Sequence, residues 1–243
     1  MNIIVFGITN WDSPQEVSHK ETQLKEWHQR IKKFIPGVSK IFLTTGTYSD
    51  PKLCPLDCPM YQVPFIKTEP YSKNRNYFRH GFMTAIWHTL FHEPNVDLLI
   101  HCQTRNLIGE DLTPYINEFL KKEEILMAPK FSSLMGCSID VSLMFLKPPA
   151  ILFYSIGGYR QSLDTRKRVL NCEEEAFLMF KNSWYNPWDK ILTIKQLDSS
   201  FLDNQTPFKI QDKNYFLSLP FIASQPPHCE KEYSEIWKKR NRY

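Results

Sequence analysis

The residues best placed to do chemistry lie just past one apolar strand. Asp97 to Cys102 (Asp-Leu-Leu-Ile-His-Cys) reads as a buried strand, and Gln103-Thr104-Arg105 follows as a polar turn before a second apolar step, Leu107-Ile108. A central strand whose polar residues bunch beyond its carboxyl end is where an open α/β sheet holds its ligand. Upstream, Arg75 and Arg79 stand four apart at the start of a helical segment, so they share one helix face. Cations on a helix N-terminus make a fair anion site. Glu173-Glu174-Glu175 opens a later helix, where carboxylates complement the helix dipole. The first strand runs into a polar loop, Thr9-Asn10-Trp11-Asp12. His88 and His92 share a helix, and Cys54 and Cys58 share a loop. Neither pair has the matching second pair that a tetrahedral zinc site requires, so no metal site is expected. Gly-x-Gly-x-x-Gly, P-loop and Gly-x-Ser-x-Gly patterns are all absent, which removes several α/β enzyme classes.

The elements that must position these groups alternate. Asn2 to Ile8 is a strand buried on both faces, and Glu16 to Phe34 a helix that stops at Pro36-Gly37. Lys40 to Thr45 is a second strand. Pro51, Pro55 and Pro59 keep the next stretch irregular. Tyr61 to Ile66 is a third strand, which Pro64 assigns to a sheet edge or a ragged end. A helix over Arg75 to Phe91 precedes the Asp97 strand. Thr113-Pro114 starts another helix, with Thr113 as N-cap and Pro at its first position. Strands follow at Ile125 to Ala128 and Val141 to Leu146, then a helix from Pro148 to Tyr154 that meets Gly157-Gly158. Glu173 to Trp184 is helical and Ile191 to Ile194 extended. The pattern fades beyond Asp198, with one short helix near Tyr233 to Lys239. Strand–helix alternation implies a mostly parallel sheet with right-handed crossovers, and the looser later strands make it mixed.

Composition bounds the class. The 243 residues are 42% apolar and 23% charged, which suits one large α/β domain or a domain with a tail. Seventeen prolines against eight glycines favour irregular connections over glycine-rich phosphate loops. A net charge of +4 fits an anionic small ligand and is too mild for nucleic acid. The start, Met1-Asn2 and then Ile3 to Ile8, lacks a basic region and is too short for a signal-peptide core. A cytoplasmic protein with free thiols is expected. The basic end (Lys238, Lys239, Arg240, Arg242) reads first as a solvated tail, and secondarily as a weak contact for an anionic membrane surface.

In its order of strand, polar tripeptide, apolar pair and acidic approach to a helix, the chain resembles the nucleotide-sugar glycosyltransferases of the GT-A type over roughly residues 1–195. Those enzymes carry Asp-X-Asp where this chain has Gln103-Thr104-Arg105, and their two carboxylates hold a divalent metal on the donor diphosphate. The resemblance implies a GT-A-like three-layer α/β/α sandwich with a mostly parallel mixed central sheet. It implies a transferase domain over residues 1–198 and an irregular C-terminal cover over residues 199–243. The implied activity is that of a glycosyltransferase (hexosyl or pentosyl) in glycan biosynthesis. It would move a sugar from a nucleotide-diphosphate donor to a hydroxyl of a glycan or lipid-linked acceptor. The alternative is a catalytically inactive module of the same fold that binds a sugar or a protein.

The resemblance also distributes roles. The family's manganese or magnesium has lost its usual ligands here, so donor binding is expected to be metal-independent, with no cofactor. Arg105 puts a permanent cation where the metal's charge would be, beside Gln103 and Thr104. Arg75 and Arg79 face the donor from their helix. Thr9, Asn10, Trp11 and Asp12 meet the nucleoside, Trp11 by stacking and Asp12 by accepting a hydrogen bond. Glu174-Glu175-Ala176-Phe177-Leu178 is similar to the acidic pair that opens a late helix in the family. It implies Glu175, with Glu174 second, as the base for the acceptor hydroxyl. Gly157-Gly158-Tyr159-Arg160 would be an acceptor-side loop. His228 corresponds to a late histidine that here would touch phosphate.

Overall fold

A computed structural model of the chain describes residues 1–11, 14–45, 50–62, 76–109, 111–128, 141, 143–162, 176, 179, 191–193, 207–210, 213–219 and 222–224. In chain order the strands are β1 (Ile3–Ile8), β2 (Val38–Thr45), β3 (Met60–Gln62), β4 (Leu98–Cys102), β5 (Asn106–Ile108), β6 (Leu126–Ala128), β7 (Leu143–Leu146), β8 (Ile191–Thr193), β9 (Pro207–Ile210), β10 (Lys213–Leu219) and β11 (Ile222–Ser224). The helices are α1 (Pro14–Phe34), α2 (Asn76–His92), α3 (Thr113–Lys121) and α4 (Pro148–Ser162).

The main sheet has the order β3-β2-β1-β4-β7-β6-β8. Its pairings are parallel except those of β7, which runs antiparallel to both β4 and β6. This is the expected mostly parallel, mixed α/β sheet, and β3 takes the edge position that Pro64 implied.

Strand alternation sorts the core into two faces. Ile3 and Val5 of β1, with Leu98, Ile100 and Cys102 of β4, pack against Leu24, Trp27 and Ile31 of α1 and against Ile116 and Phe119 of α3. Ile4, Phe6 and Ile8, with Leu99, pack against Phe82 and Ile86 of α2 and Ile151 and Tyr154 of α4. Each fully buried side chain of this size contributes about 1.5–3 kcal/mol relative to exposure. Helices on both faces make the three layers.

Three local readings change. The N-cap of α3 is Leu112, not Thr113, and Asp111 just before it braces the first turn: its carboxylate accepts from the Thr113 N–H at 2.8 Å and from the Thr113 hydroxyl at 2.6 Å. Its charge is favoured by those bonds, which hold its carboxyl below the usual range. Second, α4 does not stop at Gly157-Gly158 but runs through both to Ser162. The pair is there for close packing: a Cβ on Gly157 would lie 1.6 Å from the Met179 carbonyl oxygen, and one on Gly158 would lie 2.2 Å from the Met83 sulfur. These glycines are therefore helix contacts and not an acceptor-side loop. Third, residues 207–224, where the sequence pattern is weak, supply three strands of a second sheet ordered β5-β11-β10-β9.

Candidate functional site at the carboxyl edge of the sheet

β1 lies between β2 and β4, parallel to both. The chain leaves β1 for β2 and β3 on one side, then returns to β4 on the other. The strand order reverses at β1, and such a switch point marks the loops beyond the carboxyl ends of β1 and β4 as the candidate ligand site. Those loops are residues 9–11 and 103–105.

Side chains of α1 fasten both loops. The Lys20 ammonium donates to the Asn10 carbonyl, and the Gln23 amide donates to the Thr104 carbonyl at 3.0 Å. Arg30 donates to the Ile108 carbonyl at 3.0 Å and so holds β5. The two loops also meet directly: the Thr104 hydroxyl donates to the Ile8 carbonyl at 3.1 Å. This closure needs a glycine at position 7, because a Cβ there would lie 2.6 Å from the Thr104 methyl and 2.7 Å from the Trp27 ring.

α2 begins at the same edge. A Cβ on Gly81 would lie 2.5 Å from the Ile8 side chain, and Phe78 meets the His101 ring with centroids 5.8 Å apart. Arg79 sits between these contacts in the first turn, half-buried. His80 beside it is held below the ordinary imidazole range by burial first and by the Arg79 charge second.

The expected binding residues divide accordingly. Thr9 is almost fully buried and its N–H donates to the Thr44 carbonyl at 3.0 Å. Asn10 is half-buried in the loop after β1. Arg105 is exposed, and its Nε donates to Gln103 Oε1 at 3.0 Å. Asn10, Gln103 and Arg105 thus share one edge with the start of α2. Trp11 is 1% exposed within the core, and its indole N–H donates to the Asp50 carbonyl at 3.0 Å. That bond anchors the loop after β1. Asp12, Arg75, Glu174, Glu175 and His228 lie outside the described residues. Lys20 and Gln23 escaped the sequence reading, because polar positions on an amphipathic helix give no sign of which loop they reach.

A divalent metal does not fit this turn. Gln103 supplies a neutral amide oxygen that already accepts from Arg105, the Thr104 hydroxyl already donates to a backbone carbonyl, and Arg105 is a cation. Magnesium and manganese require hard, preferably anionic oxygens. Among the described residues no group of three or more His, Cys, Asp or Glu is placed to hold a metal.

His101 is the unexpected buried group beside the site. It occupies an otherwise apolar position on the α2 face of β4, 0% exposed. Its ring lies 4.8 Å from that of Phe6 and 5.8 Å from those of Phe78 and Phe82. Neither ring nitrogen has a hydrogen-bond partner of good geometry among the described residues. Burial pushes its pKa down to about 3, offset slightly by the Val141 backbone, so the imidazole is neutral.

The second sheet returns to this edge. β11 pairs antiparallel with β5, Ser224 opposite Asn106, one residue from Arg105. β9 and β10 pair antiparallel, Ile210 opposite Lys213.

No family model and no curated protein matches the chain. Solved structures do. A glycosyltransferase involved in the glycosylation of the major capsid of PBCV-1 is 6% identical with a TM-score of 0.49, covering 79% of this chain and 81% of that one. A 4-diphosphocytidyl-2C-methyl-D-erythritol synthase from Anaerococcus prevotii is 8% identical with a TM-score of 0.47, covering 79% and 85%. The galactosyltransferase LgtC, in complex with donor and acceptor sugar analogs, is 9% identical with a TM-score of 0.43, covering 79% and 73%. What defines the class of this chain is its own three-layer α/β architecture with a switch point at β1. Among the described residues no helix is long and apolar enough to cross a membrane.

Proposed function

We propose that the chain is a glycosyltransferase of the GT-A type that uses a nucleotide-diphosphate sugar without a divalent metal. The observation that carries this reading is the switch point at the carboxyl ends of β1 and β4, with Arg105 exposed in the loop after β4 and the first turn of α2, bearing Arg79, beside it. A departing nucleoside diphosphate gains negative charge as the sugar C1–O bond breaks. In our reading the guanidiniums of Arg105, Arg79 and Arg75 neutralise it, with Gln103 and His228 adding hydrogen bonds. Asn10 and Asp12 hold the nucleoside. Glu175, with Glu174 as its neighbour, accepts the proton of a glycan or lipid-linked acceptor hydroxyl. The free thiols of Cys54, Cys58 and Cys102 accord with a cytoplasmic setting.

A binding module without catalysis is the second reading, favoured by the same donor set: the turn carries no carboxylate. A thermal-shift panel of nucleotide diphosphates and nucleotide sugars, with manganese or with EDTA, tests the first. Ligand that binds the native state raises Tm by mass action. A shift that survives EDTA, accompanied by slow donor hydrolysis, supports the transferase. A shift that requires manganese overturns metal independence, and binding without hydrolysis favours the module.

A further inference from the structure

One cluster of titratable side chains lies away from the candidate site, where the carboxyl half of α2 meets β2 and the edge strand β3. His88 of α2 is its centre, with its side chain only 14% exposed and so largely shielded from solvent. The Tyr61 ring of β3 stacks on the imidazole, with centroids 3.7 Å apart and planes 23° apart. Phe42 of β2 meets both rings edge-on, each at 5.3 Å. β3 is a three-residue strand at the end of the sheet, paired to β2 through Leu43, Thr44 and Thr45. The stack on His88 therefore reinforces a short ladder.

The charged and titratable groups around the imidazole come from every element packed there. Lys40 of β2 lies with its ammonium 3.5 Å from His88 Nε2, and it donates to the Glu93 carboxylate just past α2. Glu93 Oε1 is itself 3.9 Å from Nε2. The exposed His92 ring of α2 lies 4.9 Å from that of His88, and β3 contributes Tyr61. An ammonium can only donate, so Nε2 of the neutral ring accepts from Lys40. A proton on Nε2 turns that contact into two cationic donors facing each other, and the carboxylate within reach is already bonded to Lys40. Burial first, then the Lys40 and His92 charges, hold the imidazole below its ordinary range, with Glu93 offsetting them in part.

We propose that His88 is a pH-sensitive latch: neutral, its ring clamps β3 against α2; protonated, it is driven off Lys40 and releases the edge strand. Once released, His88 titrates as an ordinary histidine, so release is favoured as pH falls below about 6.5. The effect reaches beyond β3, because the β2 residues that pair with β3 also pair with β1, Leu43 with Gly7 and Thr44 with Ile8. The latch is independent of the transferase reading.

The test is hydrogen–deuterium exchange of the full-length chain at pH 7 and pH 5, corrected for the intrinsic exchange rate at each pH and read on the peptide containing Met60–Gln62. In wild type the protection of this peptide should fall several-fold at pH 5, with a ceiling of about thirtyfold for a histidine that titrates near 6.5 when released. His88→Phe keeps an aromatic ring for Tyr61 and Phe42 and takes no proton, so its protection should not change with pH. Lys40→Met keeps an apolar stem and removes the facing cation. A protonated His88 then has Glu93 to itself, and protection should hold or rise at pH 5. Unchanged protection in wild type overturns the proposal. So does a loss in His88→Phe equal to that of wild type, since His92 and His101 are the same in both, or a wild-type loss in Lys40→Met.

Discussion

Acidification from pH 7 to pH 5 should destabilise this protein through His101. In the folded state its pKa is lowered from 6.5 to about 3 by burial. In the unfolded chain it titrates as an ordinary histidine. Below the unfolded pKa the unfolded state therefore binds a proton that the folded state refuses, and stability falls as pH falls. The loss begins near pH 6.5 and continues until the folded pKa is reached. At pH 5 the unfolded chain is favoured by about 2 kcal/mol from this one group. For a domain of this size that corresponds to a Tm lower by about 4–8 °C. The remedy is His101→Leu, which keeps an apolar side chain among Phe6, Phe78 and Phe82 and removes two buried nitrogens lacking good partners. Replacing such groups by apolar ones is close to neutral or stabilising. Urea unfolding of both proteins at pH 7 and pH 5 gives the difference. His28, His80 and His88 are also held below their ordinary range, so they shift both profiles alike and cancel in the comparison. Equal losses in wild type and His101→Leu would refute the assignment of a neutral, buried imidazole.

Arg105→Ala should weaken nucleotide-sugar affinity at least tenfold, as expected for a lost charge-assisted hydrogen bond of about 1.5–3 kcal/mol, and EDTA should change neither protein; titration calorimetry reads both. Gly7→Ala should cost about 1–3 kcal/mol in urea unfolding, because the stiff Thr104 and Trp27 side chains must move. The same variant should lose ligand affinity if the Thr104–Ile8 closure shapes the site. Gly157→Ala should destabilise more than Gly158→Ala. Its Cβ meets backbone at Met179, whereas that of Gly158 meets the flexible Met83 side chain, and a Tm comparison decides the order.

The main sheet was legible because its strands are buried on both faces. Ile3 to Ile8 and Leu98 to Cys102 are near-continuous apolar runs, and such runs bounded by helical periodicity announce a parallel sheet. β5 was not legible. Asn106–Ile108 is three residues long, and it becomes a strand only because β11, more than a hundred residues later, supplies its partner. Nothing local distinguishes it from an apolar step into a helix. The Gly157-Gly158 pair misled for a related reason: glycine in a helix reads as a terminus unless the neighbour that needs the space is known. That neighbour, Met179, comes after the end of the helix and is not visible in the pattern around the two glycines.

The same distinction governs the site. The place of the candidate site follows from topology, since the strand order reverses at β1 and puts it at the loops beyond β1 and β4. Residue type then decides what the site accepts. Thr9, Trp11 and Thr104 looked like ligand groups because they are polar or aromatic and lie past strand ends. The structure uses them to tie the loops down, through Thr44, Asp50 and Ile8. The Trp11 and Thr104 side chains, already committed to backbone carbonyls, do not depend on a ligand for their order. What remains available in the loop after β4 is an amide and a guanidinium, Gln103 and Arg105, bonded to each other. That pair can reorganise around an anion at the cost of one exposed hydrogen bond. A carboxylate pair in the same place would repel a diphosphate until a metal intervened. In the proposed transferase, the absence of a carboxylate pair removes both the need for the ion and the means of holding it. For this reason Gln103→Asp with Arg105→Asp should convert any nucleotide-sugar binding from EDTA-resistant to manganese-dependent. A double variant that binds as wild type does, with or without metal, would move the diphosphate away from this turn.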